Sequence, residues 1–528
     1  MSFRPELLSS LGVKVTRLVT DSRAVAPGDT FVAYPGSQAD GRQFIAQAIS
    51  KGANAVIWDA HNFSWNEMWK LPNLAVVDLR HHAGEIADHV YNRPSQKLWM
   101  VGITGTNGKT SCAHWVAQSL NSLGRKTALI GTLGNGFLPP EDRRQRTEDR
   151  KNQNQSTGFA VLSPQSSVLS LQPTLNTTPD AIRLHGLLAD YLQQGAQAVA
   201  MEVSSHALEQ GRVNGVQYDV ALLTNLSRDH LDYHGDMQHY AAAKRRLFEW
   251  QQLKYAVLNL DDEFGAELAE QLKDAEVEVV GYGLSDTSLQ LAEHHGLRMV
   301  YGGALHMDAQ GFTLQVHSSW GGGELRSTLL GRFNAENVLG VLAVLLVSGV
   351  TLSDALRELE QMKAVPGRMQ TYGGGGRPSV VVDYAHTPDA LEKVLVALRE
   401  VTAAGGGKLV CVFGCGGDRD RGKRPMMGTV AAKLADVCIV TSDNPRSESP
   451  HEIITAIVSG MQGTQHRIIE DRAEAIALAV RHAQAVDTVL VAGKGHETYQ
   501  EIKGVKYPFS DTAVAQQALE AWRGEGRA

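Results

Sequence analysis

Residues 102–111 read Gly102-Ile103-Thr104-Gly105-Thr106-Asn107-Gly108-Lys109-Thr110-Ser111, and this stretch decides the fold. It follows an apolar run at 98–101, typical of a buried strand, and precedes a helical pattern at 112–123. A glycine-rich turn between a strand and a helix directs backbone N–H groups and the helix dipole at one point, where phosphate binds. Lys109 adds a cation for the outer phosphates, and the Thr110 hydroxyl suits Mg²⁺. The stretch predicts a nucleoside triphosphate site.

The loop is a variant of the strict phosphate-loop pattern. That pattern has a glycine five residues before the Gly108-Lys109 pair, and here Ile103 takes this position. A chance Gly-Lys-Thr in a loop is the alternative explanation. The strand before the loop and the helix after it favour phosphate binding.

Composition limits the class of protein. The chain has 528 residues, 43% of them hydrophobic and 20% charged, which predicts several soluble domains. A net charge of −7 argues against general nucleic-acid binding. The longest apolar run, 338–350, is too short to cross a bilayer and predicts a buried helix. The first ten residues lack the apolar core of a signal peptide, and the 4 cysteines lack a CxxC spacing. We expect reduced, buried thiols in a cytoplasmic protein that does not bind membranes.

Alternation of strands and helices predicts an α/β fold in three domains. Residues 1–97 form the first, and 98–366 form a central domain with a mostly parallel, doubly wound sheet. A polar insertion without periodicity occupies about 139–173 of the central domain. Thr178 is expected to cap a helix that starts at the proline after it. Pro366 and Gly367 mark the boundary to the third domain, 367–528, where polar loops follow each predicted strand. Such loops hold the ligands of open α/β sheets.

Polar side chains follow two predicted strands of the central domain. Glu202 ends a buried strand, where it suits Mg²⁺ but equally fits a capping or ion-paired carboxylate. The segment 225–235 brings together two histidines and two aspartates near His230, which favours a metal or phosphate site over a turn. Lys244 precedes two arginines on a helical pattern, and spacing alone predicts a solvated basic face there.

Three loops of the third domain predict recognition of an amino acid. The loop 414–425 is rich in glycine and arginine, and arginine offers two parallel donors to a carboxylate. The loops 443–446 and 493–497 end two further strands and add both cations and carboxylates. Such a set suits a ligand that carries charges at both ends.

Nine motifs together resemble the Mur ligase family. They are GTNGKT (105–110), NTTPD (176–180), EVSSHAL (202–208), TNLSRDHLDYHG (224–235), RFNAENVLG (332–340), DYAHTPDAL (383–391), GCGGDRDRGKRP (414–425), DNPRSESP (443–450) and GKGHE (493–497). They occur in the family's order and cover nearly the whole chain. More narrowly, they resemble the members that add meso-diaminopimelate to UDP-N-acetylmuramoyl-L-alanyl-D-glutamate. The insertion at about 139–173 is longer than this resemblance leads us to expect.

The resemblance implies a reaction and its cofactors. ATP would phosphorylate the D-glutamate γ-carboxylate, and the amine would then displace phosphate from the acyl phosphate. It implies catalytic roles for Lys109, Glu202, His230 and Lys244. Ligands of Mg²⁺ would be Thr110, Glu202, His230 and Lys244 as a carbamate. The implied ATP-binding residues are Gly105, Thr106, Asn107, Gly108, Lys109, Thr110, Ser111, Asn334, Arg368, Asp383 and His386.

The resemblance also implies one substrate for each outer domain. The N-terminal domain would bind UDP, and the C-terminal domain, which is Rossmann-like, would bind the amino acid. Implied contacts to the UDP substrate are Thr20, Ser22, Ser37, Gln38, Ala39, Asn176, Thr177, Thr178, Ser204, Gln210 and Arg212. Implied contacts to diaminopimelate are Arg419, Asp443, Asn444, Pro445, Arg446, Gly493 and Glu497. All expected partners are small molecules, and we expect a monomer.

Three alternatives stay open at this point. The same ligase could use L-lysine, although family members that use lysine generally lack the motif that carries Arg446. A folylpolyglutamate synthase is related but lacks the Asp-Asn-Pro-Arg loop in this form. A nucleotide switch would hydrolyse ATP slowly without any amino acid.

Overall fold

A computed structural model describes residues 4–36, 39–139, 171–172, 174, 176–308, 310–463 and 465–523. The insertion predicted at 139–173 therefore lies almost wholly outside the described residues. Each of the three principal sheets lies within one predicted domain. The domain boundaries at 97/98 and 366/367 stay predictions. No helix of the described residues is long and apolar enough to cross a membrane.

The first sheet is small and parallel, with strands in the order of the sequence. Its strands are β1 Leu18–Val19, β2 Thr30–Ala33, β3 Ala55–Asp59 and β4 Asn73–Val76, with helices α1 Ile45–Ser50 and α2 Leu79–Val90. The β-branched and aromatic residues of β2 and β3 are buried on both faces, which is typical of parallel strands.

The central sheet has ten described strands in the order β14-β13-β12-β11-β10-β9-β5-β8-β6-β7. They are β5 Trp99–Thr104, β6 Thr127–Gly131, β7 Gly134–Phe137, β8 Ala198–Glu202, β9 Val220–Leu223, β10 Tyr255–Asn259, β11 Glu278–Gly283, β12 Arg298–Asp308, β13 Gly311–Ser318 and β14 Gly321–Ser327. In the sheet, all neighbouring strands from β12 across to β6 pair in parallel, which confirms the doubly wound prediction. The carboxyl ends of β5, β8 and β9 therefore meet at one edge.

Helices cover both faces of the central sheet. They are α3 Lys109–Ser122, α4 Ala181–Gln193, α5 Ser205–Glu209, α6 Leu231–His234, α7 Met237–Arg245, α8 Glu263–Leu272, α9 Asp286–His294, α10 Arg332–Val347 and α11 Leu352–Leu359. Helix α10 is buried along most of its length, so the prediction of a buried helix there is confirmed. The cap predicted for α4 was wrong: Asp180, not Thr178, accepts the amide N–H of Arg183. Thr178 instead donates its hydroxyl to the Glu202 carbonyl at 2.8 Å.

The third sheet has the order β15-β16-β20-β17-β18-β19 and is parallel except for β15. Its strands are β15 Gln370–Gly373, β16 Ser379–Asp383, β17 Leu409–Phe413, β18 Val437–Val440, β19 His466–Ile468 and β20 Thr488–Ala492, and a hairpin follows with β21 Tyr499–Ile502 and β22 Val505–Pro508. Its helices are α12 Pro388–Ala404, α13 Lys423–Leu434, α14 Pro450–Val458, α15 Arg472–His482 and α16 Asp511–Ala521. All four cysteines are free and buried, as expected.

Candidate active site

The phosphate loop joins the end of β5 to the first residue of α3, as the sequence predicts. Lys109 folds back over the loop, where its Nζ donates to the carbonyls of Gly105 at 2.8 Å and Thr106 at 2.9 Å. Burial lowers the pKa of Lys109, while the nearby Glu202 and Asp229 carboxylates oppose that shift. The loop thus holds a buried amine at the start of a helix, a setting that suits the outer phosphates of a nucleotide.

Gly108 is required by both backbone conformation and space. Its φ of 88° lies in the left-handed region, and a Cβ there would stand 2.5 Å from Asn337 Oδ1. Asn337 belongs to the buried helix α10, so it has little room to retreat. Gly124, just after α3, has a similar φ of 85° but nothing within 4 Å of a Cβ.

We expect Gly108→Ala to weaken ADP binding about tenfold, whereas Gly124→Ala keeps wild-type affinity. Both variants bear the backbone cost of about 1 kcal/mol, but only the first displaces Asn337 into the loop. Titration calorimetry with ADP measures the difference, and thermal unfolding shows the shared loss of stability. Equal ADP affinities in the two variants would contradict the role given to the Asn337 contact.

Glu202 lies at the carboxyl end of β8 with only 2% of its surface exposed. Its carboxylate accepts the Thr110 hydroxyl at 3.0 Å, the Thr132 amide at 2.7 Å and the Thr132 hydroxyl at 3.1 Å. Arg368 from the third domain donates to the same Thr110 hydroxyl at 3.2 Å. Within the described residues Glu202 neither caps a helix nor forms an ion pair, so those alternatives lose their support.

The donors around Glu202 fit a hard cation. A buried carboxylate and a threonine hydroxyl in contact are ligands that Mg²⁺ accepts beside water and phosphate oxygens. Among the described residues, no group of three or more His, Cys, Asp or Glu side chains is arranged to hold a metal ion. A complete shell would therefore need further oxygen ligands.

Asp229 lies among basic side chains from two domains. His230 Nε2 lies 3.3 Å and His386 Nε2 lies 3.5 Å from its Oδ2, and Lys423 Nζ lies 3.8 Å from its Oδ1. Burial opposes its charge, yet the His386 hydrogen bond and the surrounding His230 and Lys423 hold the pKa of Asp229 well below its usual range. His230 itself has a φ of 55°, and burial lowers its pKa well below its usual range. The structure thus keeps a charged carboxylate beside a neutral imidazole.

Lys244 is buried at the end of α7, so the prediction of a solvated basic face there was wrong. Only 1% of Lys244 is exposed, and its Nζ donates to the Gly105 carbonyl at 2.8 Å. Its Nζ also lies 4.5 Å from the centre of the Tyr240 ring. Burial and the nearby Lys109 ammonium hold the pKa of Lys244 well below its usual range. A buried lysine of this kind is partly neutral, and a neutral amine is nucleophilic.

The third domain contacts the phosphate loop directly. Asn107 Nδ2 donates to Asp389 Oδ2 at 2.9 Å, and the Ser227 hydroxyl reaches the same oxygen at 3.2 Å. Arg228 forms an ion pair with Asp420 at 3.0 Å, which brings the loop 414–425 against the segment that carries Asp229 and His230. The phosphate loop and the loop 414–425 therefore both lie at the contact between the central and third domains.

Most residues expected to bind ATP line a single cleft. The expected ATP-binding residues that line it are Thr106, Asn107, Gly108, Lys109, Thr110, Ser111, Asn334, Arg368, Asp383 and His386. Glu202 and His230, which are expected to act in catalysis and Mg²⁺ binding, line the same cleft. Gly105 and Lys244 are not among the lining residues, and Lys244 Nζ donates to the Gly105 carbonyl. Asp383 is held in place by the amides of Met369 and Ala385, both at 2.7 Å from its carboxylate.

The residues expected to bind the UDP substrate fall into two groups. Thr178, Ser204, Gln210 and Arg212 form one network: Thr178 Oγ1 contacts Ser204 Oγ at 3.3 Å, and Arg212 donates to the Thr178 carbonyl at 3.2 Å and to Gln210 Oε1 at 2.8 Å. Thr177 adjoins Thr132 at 3.2 Å, and Asn176 is exposed. Thr20, Ser22 and Ala39 belong to the first domain, while Ser37 and Gln38 lie outside the described residues. Among the described residues, no hydrogen bond joins the first-domain group to the others.

The third-domain loops meet as predicted. Asn444 Nδ2 donates to Glu497 Oε2 at 2.8 Å, and Lys494 Nζ donates to both residues at 2.8–2.9 Å. Gly493 is needed because a Cβ would clash with the Asp443 carboxylate. Pro445 and Arg446 continue the same loop, and Arg446 Nη1 donates to the Gly417 carbonyl at 2.8 Å. Arg419 is exposed and donates to the Asp418 carbonyl at 2.8 Å.

Several contributors were missed by sequence reasoning. Asp389 and Lys494 sit inside quoted motifs, so their position carried a signal, although no role was assigned to them. Asp229 belongs to the cluster predicted to bind metal or phosphate, but it was given no role of its own. Thr132 carried no signal beyond following a predicted strand, because a single threonine in a turn is common. Only the folded register of β6 against β8 places it over Glu202.

Three protein-family descriptions match this chain, one in each of its three predicted domains. The descriptions "Mur ligase family, catalytic domain", "Mur ligase middle domain" and "Mur ligase, glutamate ligase domain" match residues 14–91, 103–345 and 367–495. A protein of Chromobacterium violaceum named UDP-N-acetylmuramoyl-L-alanyl-D-glutamate--2,6-diaminopimelate ligase is 50% identical, over 98% of this chain and 97% of its own. A protein of Nitrosomonas europaea with the same name is 47% identical, over 98% and 95%.

Solved structures agree with this fold. One with that same name superposes with a TM-score of 0.62 at 36% identity, covering 96% of this chain and 95% of its own. A MurF ligase of Thermotoga maritima in complex with ADP shares the fold at 17% identity, with a TM-score of 0.59 over 96% and 97% of the two chains. The motifs, the three-unit architecture and these full-length similarities have one explanation. The chain belongs to the Mur ligase family.

Proposed function

We propose that this chain is an ATP-dependent ligase that joins meso-diaminopimelate to the D-glutamate γ-carboxylate of UDP-N-acetylmuramoyl-L-alanyl-D-glutamate. The contact of the phosphate loop and the segment 225–235 with a third domain whose loops are rich in charged groups carries this proposal. The 50% identity over 98% of the chain supports it. The product is a cytoplasmic precursor of peptidoglycan, and ATP and both other substrates are small molecules.

The proposed reaction has two steps. A γ-carboxylate oxygen of D-glutamate attacks the γ-phosphorus of ATP, and ADP leaves with the bridging oxygen. The diaminopimelate amine then attacks the acyl phosphate carbonyl, loses a proton, and expels phosphate as the amide forms. The first step brings anions together, so screening and positioning carry most of the catalysis.

The chain supplies the screening at the phosphate loop. Amide groups at the start of α3 and the Lys109 Nζ would face the outer phosphates of bound ATP, and Arg368 adds a cation beside Thr110. Thr110, Glu202, His230 and a carbamylated Lys244 would hold Mg²⁺, which neutralises charge on the phosphates when bound. Asp229, beside His230 and Lys423, sets the charge balance around that position.

Carbamylation of Lys244 fits its surroundings. The reaction joins CO₂ to a neutral amine and releases a proton, and burial favours the neutral amine here. The product replaces a buried cation with a carboxylate, which suits a site that needs further oxygen ligands. Tyr240 and the Gly105 carbonyl would hold the side chain in place.

The two other substrates would bind at opposite sides of this centre. We assign the sugar and peptide portion to Asn176, Thr177 and the network of Thr178, Ser204, Gln210 and Arg212, and the UDP portion to the first domain. We assign diaminopimelate to the loops that hold Arg419, Asp443–Arg446, Gly493 and Glu497. Arg446 would bind the distal carboxylate, a group that lysine lacks.

Phosphate release tests the function. With ATP, Mg²⁺ and the UDP-muramoyl dipeptide present, we expect release with diaminopimelate to exceed release with L-lysine and release with neither amino acid. Mass spectrometry of the product checks that an amide has formed. Equal rates in all three reactions would reject the ligase, and higher rates with lysine would reject diaminopimelate as the substrate.

A further inference from the structure

The hairpin of β21 and β22 is attached to the loop that carries Arg446. The Arg446 amide donates to the Glu501 carbonyl at 3.0 Å, and the Lys503 amide donates to the Arg446 carbonyl at 2.7 Å. Glu501 N also donates to Asn444 Oδ1 at 2.9 Å, and Gln500 Nε2 donates to the Asp443 carbonyl at 2.7 Å. The hairpin therefore holds this loop at three residues: at the backbone of Asp443 and Arg446 and at the side chain of Asn444.

The same hairpin also reaches the side chain of Arg446. Glu501 Oε2 lies 3.4 Å from Arg446 Nε, with the two side chains 24% and 20% exposed. On the other side, Arg446 Nη1 donates to the Gly417 carbonyl at 2.8 Å. Within the described residues, Arg446 Nη2 makes no hydrogen bond. The guanidinium is thus held at its Nε edge and at one terminal nitrogen, and its Nη1–Nη2 end retains donors.

Arginine needs such restraint if it is to discriminate between ligands. The free side chain carries about 2 kcal/mol of rotamer entropy, part of which is lost when it binds a ligand. An arginine that is already oriented loses less on binding, so its affinity for a carboxylate rises. A carboxylate ligand takes two parallel N–H groups, and the Nη1–Nη2 end offers such a pair while Glu501 occupies the Nε edge.

We propose that Glu501 is a positioning residue that orients the Arg446 guanidinium for the distal carboxylate of the amino acid substrate. This inference rests on the proposed function, in which Arg446 binds that carboxylate. Glu501 lies outside every motif on which the family resemblance rests. It therefore adds a determinant of substrate choice that comes from the hairpin.

Glu501→Ala and Glu501→Gln test the proposal. With ATP and the UDP substrate saturating, we expect Glu501→Ala to raise the KM for diaminopimelate about three- to tenfold, because Arg446 must then be ordered by the substrate. Glu501→Gln keeps an acceptor for Nε, so a smaller increase is expected. The kcat stays within about twofold and the KM for ATP is unchanged, since neither involves Arg446.

A matched control removes a similar ion pair away from the site. Glu278 pairs with Arg298 at 2.9 Å, and Glu278→Ala should leave the KM for diaminopimelate unchanged. An unchanged KM in Glu501→Ala would overturn the proposal, and a lowered KM would overturn it by showing that Glu501 competes with the substrate. Either result leaves the proposed function standing if the wild type releases phosphate with diaminopimelate. A wild type without that activity overturns the proposed function, and this inference with it.

Discussion

Lys244→Ala is expected to lower kcat by at least about 100-fold, and a small carboxylic acid such as acetate is expected to restore part of the loss. The side chain is buried beside the phosphate loop, so its removal leaves a cavity where the proposed carbamate would stand. Acetate has the size and charge to occupy that cavity and offer an oxygen ligand. Steady-state phosphate release with increasing acetate measures both effects.

A neighbouring variant separates this role from a general effect of charge. Arg246, two residues on, is largely exposed and pairs with Glu209 at 3.0 Å. Arg246→Ala should keep nearly full activity and show no response to acetate. Full activity in Lys244→Ala would remove the carbamate from the mechanism. Loss of activity without rescue, together with a lowered unfolding temperature, would indicate a packing role.

Arg446→Ala is expected to raise the KM for diaminopimelate about 10- to 100-fold while the KM for ATP stays unchanged. A carboxylate left in this part-buried loop without its partner costs roughly 1–3 kcal/mol. The effect should exceed that of Glu501→Ala, because the binding group itself is lost. Kinetics with each substrate varied in turn measure the two constants separately.

Discrimination between amino acids gives the sharper readout for Arg446. Lysine lacks the distal carboxylate, so its turnover should change little in the variant, and the preference for diaminopimelate should shrink. The control is Arg399→Ala, which removes an arginine of α12 that pairs with Asp436 at 2.6 Å. This variant should leave the KM for diaminopimelate and the turnover of lysine unchanged. An unchanged KM for diaminopimelate in Arg446→Ala would reject the assignment.

Regular structure was predictable because its signals are local. The buried strands before residues 105 and 202 are continuous apolar runs, and such runs predict parallel strands wherever helices alternate with them. The cap of α4 was placed wrongly at Thr178 because Thr-Pro is a strong local signal. Asp180 is an equally good capping residue. The Thr178 hydroxyl instead donates to the backbone carbonyl of Glu202, a contact that the local sequence does not reveal.

The site was predictable only where a motif encodes it. Glu202 ends one strand and His230 lies in the loop after another, and the apolar pattern reveals both strands, so their convergence followed from the parallel sheet. The burial of Lys244 did not follow, because two adjacent arginines dominate the local pattern and the burying partners come from the phosphate loop. Glu501 gave no signal, since a glutamate in a hairpin is ordinary until the fold places it beside Arg446.

The bond between Asn107 and Asp389 constrains how this molecule can evolve. One partner belongs to the phosphate loop and the other to the first turn of α12, so this hydrogen bond joins two domains. A substitution at either position removes this hydrogen bond, unless the other position changes with it. We therefore expect the two positions to vary together among relatives. Chimeras that join a central domain from one species to a third domain from another should work only when this pair matches.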